Sequence, residues 1–443
     1  MKKILKYKRQ ILYIAIVLTV ILLNVFAWRS RRFCDAYIAH IFPVWINTYG
    51  RFSGLFPFSV GEWLLVLGVI LVVLAVILLP AAGIGAAISA TQRIKGIRQK
   101  NQELAEDSFK SPAPVEDRVR RRRDKAAGKM TFLNFCILYY RIFAWIVVIV
   151  CLIMTLNCFI LYHASTFTEK YFDAEEAEYE LADVMRLRNE IVMKCNELSR
   201  QMDRDEDGRI VYPGSALSNG KTSDSGMQDK AREAMQNLGK GISNGEQAAN
   251  LRSYAQLDGY YPRPKALFFS DFMCQQYMQG YYFPFSMEAN YNDVMYVMNK
   301  PFTMCHELAH LRGFIYEDEA NFIGYLACVQ SDDLYFQYSG YLCAFSYLQN
   351  DLYKARQNAP NAYEAALSVA GLVAVEDQVY ADNIFVEQKE WDRINANALI
   401  STETVDKAAD VFIDTNLKVN GIEDGALSYS RMVKLLMLYY PGA

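Results

Sequence analysis

The chain has 443 residues, of which 52% are apolar and 14% aromatic, and its formal net charge is only −3. That length suits two or three structural units, and the near-neutral total hides a division: residues 163–443 carry 24 Lys+Arg against 41 Asp+Glu, whereas 91–130 carry 12 against 6. An acidic main domain argues against nucleic acid as a partner, and nine irregularly spaced cysteines with no C-x-x-C pair argue against a disulfide scaffold, so buried free thiols are expected.

Three apolar runs open the chain. Ile11–Trp28 follows a segment with five Lys+Arg in nine positions and ends without a small-residue cleavage site, so an uncleaved anchor is expected rather than a signal peptide. The second run is placed at 63–85 and the third at 142–162, each close to the roughly 20 residues that cross a bilayer as a helix. Lys and Arg in the flanks set the orientation. The basic N-terminus and the loop 91–130, with its Arg120–Arg123 block, are assigned to the cytoplasm, although Arg29–Gly61 carries four basic residues of its own. This makes 1–162 a three-span membrane domain in contact with the lipid bilayer and puts His163 onward outside the cytoplasm.

Residues 163–260 read as a helical linker region. Leu181, Val184, Ile191, Cys195, Leu198 and Met202 recur at three-to-four spacing, which predicts one long amphipathic helix over Tyr171–Met202. A Gly-, Ser- and Asp-rich stretch, 203–226, reads as an acidic flexible loop. Residues 261–443 form the remaining domain: Ala266–Phe269 predicts a strand, Gly280–Phe285 an aromatic turn, Tyr291–Met298 a second strand or its end, and the chain after Pro301 reads as helix. The fold class is therefore mainly α, with three transmembrane helices and a mostly helical α+β outer domain holding a small sheet.

The chemistry concentrates at His306-Glu307-Leu308-Ala309-His310. Positions i and i+4 share a helix face, so both imidazoles can reach one ion, and Glu307 projects beside that face as a general base. Zinc suits two imidazoles plus a position left open for water. With only four histidines in the chain, chance would seldom place two around a glutamate. His40 and His163 sit in or beside the membrane domain, so the third ligand is expected to be a carboxylate from Glu317-Asp318-Glu319. Gly313 offers a turn back, and Glu317 is preferred, with Glu319 in reserve. Asn321, four residues after Glu317, would orient an imidazole.

The stretch Cys305–Cys328, with Gly280–Asn290 upstream and Tyr338-Ser-Gly-Tyr341 downstream, resembles DUF3810, a bacterial membrane-protein family of unknown function. That resemblance implies three spans and an H-E-x-x-H, zincin-like outer domain. Glu317-x-x-Ala320-Asn321 also resembles the E-x-x-A-D/N motif of gluzincin peptidases, which implies that Glu317 ligates zinc and Asn321 supports the site. Only six residues separate His310 from Glu317, nearer to metzincin spacing, where the matching position is Tyr316.

Tyr338, Tyr316 and Arg312 are candidate donors to a transition state, with Tyr338 preferred. A weaker signal is Asp203-x-Asp205-x-Asp207-Gly208, which matches the first half of an EF-hand calcium loop but has Gly214 where the closing acid belongs. The functional expectation is a membrane-anchored zinc metallopeptidase acting on a peptide or protein substrate outside the cytoplasm. The alternative is a membrane sensor that uses its zinc-binding domain without steady proteolysis.

Overall fold

A computed structural model describes residues 2–107, 132–172, 179–213, 217–218, 221–222, 224–242, 253–419 and 431–440. Arg120–Arg123 and Gly214 lie outside the described residues. The chain forms two compact units, Met1–Thr19 with Trp63–Leu152, and Val20–Glu62 with Ile153–Ala443. This division departs from the linear one. Residues 163–260 belong to the same unit as 261–443, and so do the ends of the apolar helices.

The first unit is built on α1 (Lys2–Arg29), α2 (Val60–Asp107) and α3 (Phe132–Met154). Within these, Tyr7–Arg29, Val60–Pro80 and Asn134–His163 are long and apolar enough to cross a membrane. Helix α2 continues through Pro80 well past the expected span end, so 91–107 is helix where loop was expected. Tyr140 donates its hydroxyl to the Ala75 carbonyl at 2.6 Å, and Tyr13 meets Trp145 edge-on at 5.1 Å. These contacts tie the apolar helices together.

In the second unit the expected helix over Tyr171–Met202 is instead a short turn, Phe167–Tyr171, and α4, Leu181–Ser199. The apolar face of α4 packs on α8 (Leu334–Asn358) and on Pro360–Ala370, which is why this region is core rather than linker. A small hairpin pairs β1 (Leu217–Ser218) with β2 (Lys221–Thr222), and α5, Ser225–Lys240, follows.

The main sheet has three strands in the order β3-β5-β4: β3 (Lys265–Ala266) is parallel to β5 (Glu288–Tyr291), and β4 (Gly280–Phe283) is antiparallel to it. The aromatic stretch read as a turn is thus an edge strand. The strand expected at Ala266–Phe269 stops at Ala266 and gives way to a short helix, Ser270–Gln275. The second strand ends at Tyr291, where it was expected to begin.

Two helices then stack against the sheet and each other. Helix α6, Lys300–His310, starts with Pro301 in its first turn, where a missing N–H costs nothing, and every residue in it is buried. Gly313 ends it with φ +89, a left-handed turn natural to glycine. Helix α7, Glu317–Val329, opens with three acids facing its positive N-terminal end and packs along α6, α8 and Arg431–Tyr439.

The sheet is fastened to the start of α2 by a buried polar bolt. Glu288 accepts from the amides of Val60 at 3.2 Å and Gly61 at 2.7 Å, satisfying first-turn donors that a helix cannot satisfy itself. Lys265 bonds to Glu288 and reaches the carbonyls of Ser53 at 2.6 Å and Phe58 at 3.0 Å. Glu62 in turn accepts from the amides of Phe268 at 3.0 Å and Phe269 at 2.7 Å.

Candidate metal centre

Helical spacing puts His306 and His310 one turn apart on α6, and their Nε2 atoms stand 3.1 Å from each other. The turn through Gly313 brings the first residue of α7 back over them. Glu317 Oε2 lies 3.2 Å from His306 Nε2, and its Oε1 lies 3.8 Å from His310 Nε2. Donors sharing one tetrahedral ion at about 2.0–2.1 Å stand roughly 3.3–3.4 Å apart. The three groups therefore have the spacing of a zinc ligand set. Among the described residues, His306, Glu307 and His310 are the one cluster of three or more potential ligands with donor atoms within 4.8 Å of one another.

The surroundings prepare each ring. His310 Nδ1 donates to the Phe314 carbonyl at 2.8 Å, which leaves the Nε2 lone pair aimed at the shared point. Burial and the neighbouring His306 hold His310 down at about 4, against the pull of Glu317, so it is neutral at neutral pH. His306 shifts upward: burial opposes its charge, but Glu317, Glu307 and Asn321 outweigh it. Asn321 sits beside the His306 ring and donates its amide to Tyr347 Oη at 2.8 Å, although His306 Nδ1 makes no well-formed hydrogen bond. Burial alone would raise Glu317, yet the hydrogen bond from His306 and both imidazoles keep it near 2. Its side chain is 28% exposed, more open than either histidine.

Glu307 lies beside the imidazoles and reaches the start of β4. Burial raises it to about 8, and its Oε2 has no hydrogen-bond partner. A buried carboxylate oxygen with no donor is costly unless something outside the chain completes it. Gly280 makes its place: a Cβ there would come within 2.7 Å of Glu307 Oε1.

A family described as "Protein of unknown function (DUF3810)" matches residues 118–437. The chain belongs to that family. No curated protein and no solved structure matches it. In this DUF3810 protein the site is thus read from its own residues.

Several expected participants lie elsewhere. Glu319 accepts from the Phe167 amide, and burial raises it to about 8. It faces away from the imidazoles because, two residues along a helix, its side chain leaves the Glu317 face. Tyr338 faces α4, donates to Asp382 at 2.8 Å and shares that carboxylate with Arg204. Tyr316 donates to the Tyr162 carbonyl at 2.6 Å, and Arg312 grips the carbonyls of Gln256 and Asp258.

The calcium loop is a stapled turn. Asp203 accepts from Tyr335, Asp205 from the amides of Asp207 and Arg209, and Asp207 pairs with Arg209, so the three carboxylates are spent separately. All nine cysteines are free thiols. Sequence reasoning missed Tyr282, whose ring lies 6.1 Å from that of His310, and Tyr347. Only the strand register reveals the first, and nothing local signals the second.

Proposed function

We propose that this protein is a membrane-anchored zinc-dependent peptidase, with its N-terminus cytoplasmic and the chain from His163 onward outside. The observation that carries the reading is the convergence of His306, His310 and Glu317 on one point, with Glu307 buried beside it and one oxygen unsatisfied. Zinc bound there supplies the Lewis acidity that polarises a carbonyl and activates water.

The chain supplies the rest. His306, His310 and Glu317 would hold the ion, while the Phe314 carbonyl orients His310 and Asn321 stands beside His306. Glu307 Oε2 takes a proton from the attacking water and returns it to the leaving nitrogen. Strand β4 leaves one backbone edge unused by the sheet and begins beside Glu307, which suits an extended peptide adding to the sheet. A purely structural zinc site would have no use for Glu307 in this position.

The test pairs metal content with cleavage. Full-length protein in detergent is expected to hold one zinc per chain, lost to a chelator, and to cleave members of a random peptide library. Glu307→Gln keeps the zinc and loses cleavage. Full zinc with no cleavage by the wild type would overturn the peptidase and favour a sensor.

A further inference from the structure

His306 lies 143 positions after His163, yet the fold brings the metal centre back to the ends of the apolar helices. Tyr282, packed near His310, donates its hydroxyl to the Asn157 carbonyl at 3.0 Å, and Asn157 donates its amide to Pro284 O at 2.8 Å. Tyr316, just before Glu317, reaches the Tyr162 carbonyl. Both Asn157 and Tyr162 belong to the closing turns of the apolar stretch Asn134–His163.

On the opposite side, β4 runs from Gly280 against Glu307 to Phe283. The Phe283 ring presses on Gly61, where a Cβ would meet it at 2.4 Å. Four strand residues span roughly 10 Å. Glu307 therefore stands about that far from the first turn of α2, whose apolar run starts at Trp63. Headgroups add roughly 5–8 Å beyond each face of the hydrocarbon. For a bilayer crossed by that helix, a centre this close to the helix start would lie within reach of the headgroup layer.

The same unit carries an apolar rim, joined through Lys265 to Ser53 and Phe58. Phe52, Leu55 and Phe268 are 62%, 77% and 75% exposed, with Phe58 and Phe272 exposed beside them in sequence. Ile41–Gly61 holds a single charged residue, Arg51, whose guanidinium lies over the Tyr260 ring at 3.9 Å. Glu62 binds the Phe268 and Phe269 amides, so the rim is pinned at the first turn of α2. The rim is thus held at the first turn of a helix long enough to cross a bilayer, which makes lipid its occupant.

We propose that this rim seats in the lipid headgroup layer and that the metal centre cuts membrane-tethered polypeptides a few residues outside the bilayer. The cleavage rests on the peptidase reading, and the seat on the apolar helices crossing the membrane. An extended chain advances roughly 3.3–3.6 Å per residue. A tethered segment thus reaches Glu307 about three to five residues beyond its membrane helix.

The test uses the full chain in phosphatidylcholine–phosphatidylglycerol liposomes. A nitroxide on Phe268→Cys, in a Cys151→Ser background, is expected to be more accessible to oxygen than to a water-soluble nickel chelate. Random ten-residue segments fused directly outside a single transmembrane helix are expected to be cut within about the first five positions. The same segments held on a spacer of about 30 residues, or supplied free, are cut at least tenfold more slowly. A chelate-accessible nitroxide overturns the seat. Equal rates on tethered and free segments overturn the substrate class and leave the peptidase standing. No cleavage of any segment by zinc-loaded protein removes the peptidase reading itself, whatever the nitroxide reports.

Discussion

A single methyl group at Gly280 tests the role of Glu307 most sharply. A Cβ there would stand 2.5 Å from the Asn290 carbonyl oxygen, 2.7 Å from Glu307 Oε1 and 2.9 Å from Thr303 Cγ2. Comfortable contact is about 3.5 Å or more. The carboxylate can swing aside, but the carbonyl belongs to β5, paired with β4 along its whole length, and yields only if the strands part. Relief of roughly 0.5–1 Å must be shared between strand and carboxylate. Overpacking of this kind costs about 1–3 kcal/mol, within the about 5–15 kcal/mol that a domain has to lose, so Gly280→Ala still folds. A reacting group misplaced by about 1 Å costs on the order of 100-fold in rate. We expect kcat to fall by about that factor while zinc, measured by mass spectrometry on purified protein, stays at the wild-type level, because His306, His310 and Glu317 are untouched. Wild-type turnover in a folded, zinc-loaded Gly280→Ala would refute the assignment of Glu307 as base.

The remaining predictions divide the site from its supports. Glu317→Ala should weaken zinc binding by more than about 100-fold and Asn321→Ala by about 10- to 100-fold, whereas Glu319→Ala should retain zinc; competition with a fluorescent chelator ranks the three, and a larger loss for Glu319→Ala inverts the ligand assignment. Tyr338→Phe removes a hydrogen bond to the buried Asp382 and should cost about 1.5–3 kcal/mol in stability with kcat unchanged, so a selective fall in kcat would return it to the active site. Glu288→Ala strands the buried Lys265 and two first-turn amides of α2. It should cost about 3–5 kcal/mol, read as a lowered melting temperature in detergent, and an unchanged melting temperature would deny the bolt its role.

Where the sequence spoke through local spacing, it spoke reliably. The i, i+4 histidines meet because a helix puts them on one face, and Gly313 turns the chain because glycine alone takes that conformation freely. The choice of Glu317 over Glu319 is the same geometry read one turn further. Tyr338 was misplaced because it lies beyond another helix and loop, and no periodicity relates its face to α6. Strand β4 was hidden by its own aromatic density: Tyr281, Tyr282 and Phe283 do not alternate with polar residues, since both faces of this edge strand are partly covered.

Separation along the chain proved the least faithful guide. A stretch of 142 residues between His163 and His306 suggests a site far from the bilayer, and composition contains nothing to contradict that. The fold nevertheless makes three polar contacts between distant segments: Tyr282 on Asn157, Tyr316 on Tyr162, and Glu288 on the amides of Val60 and Gly61. Each satisfies a backbone group at the end of an apolar helix, where lipid cannot. Of the residues that close those helix ends, Tyr282 packs near His310 and Tyr316 directly precedes Glu317. On the proposed reading, anchoring the helices and placing the catalytic site are one structural task, and a substrate that reaches Glu307 would approach along the membrane surface.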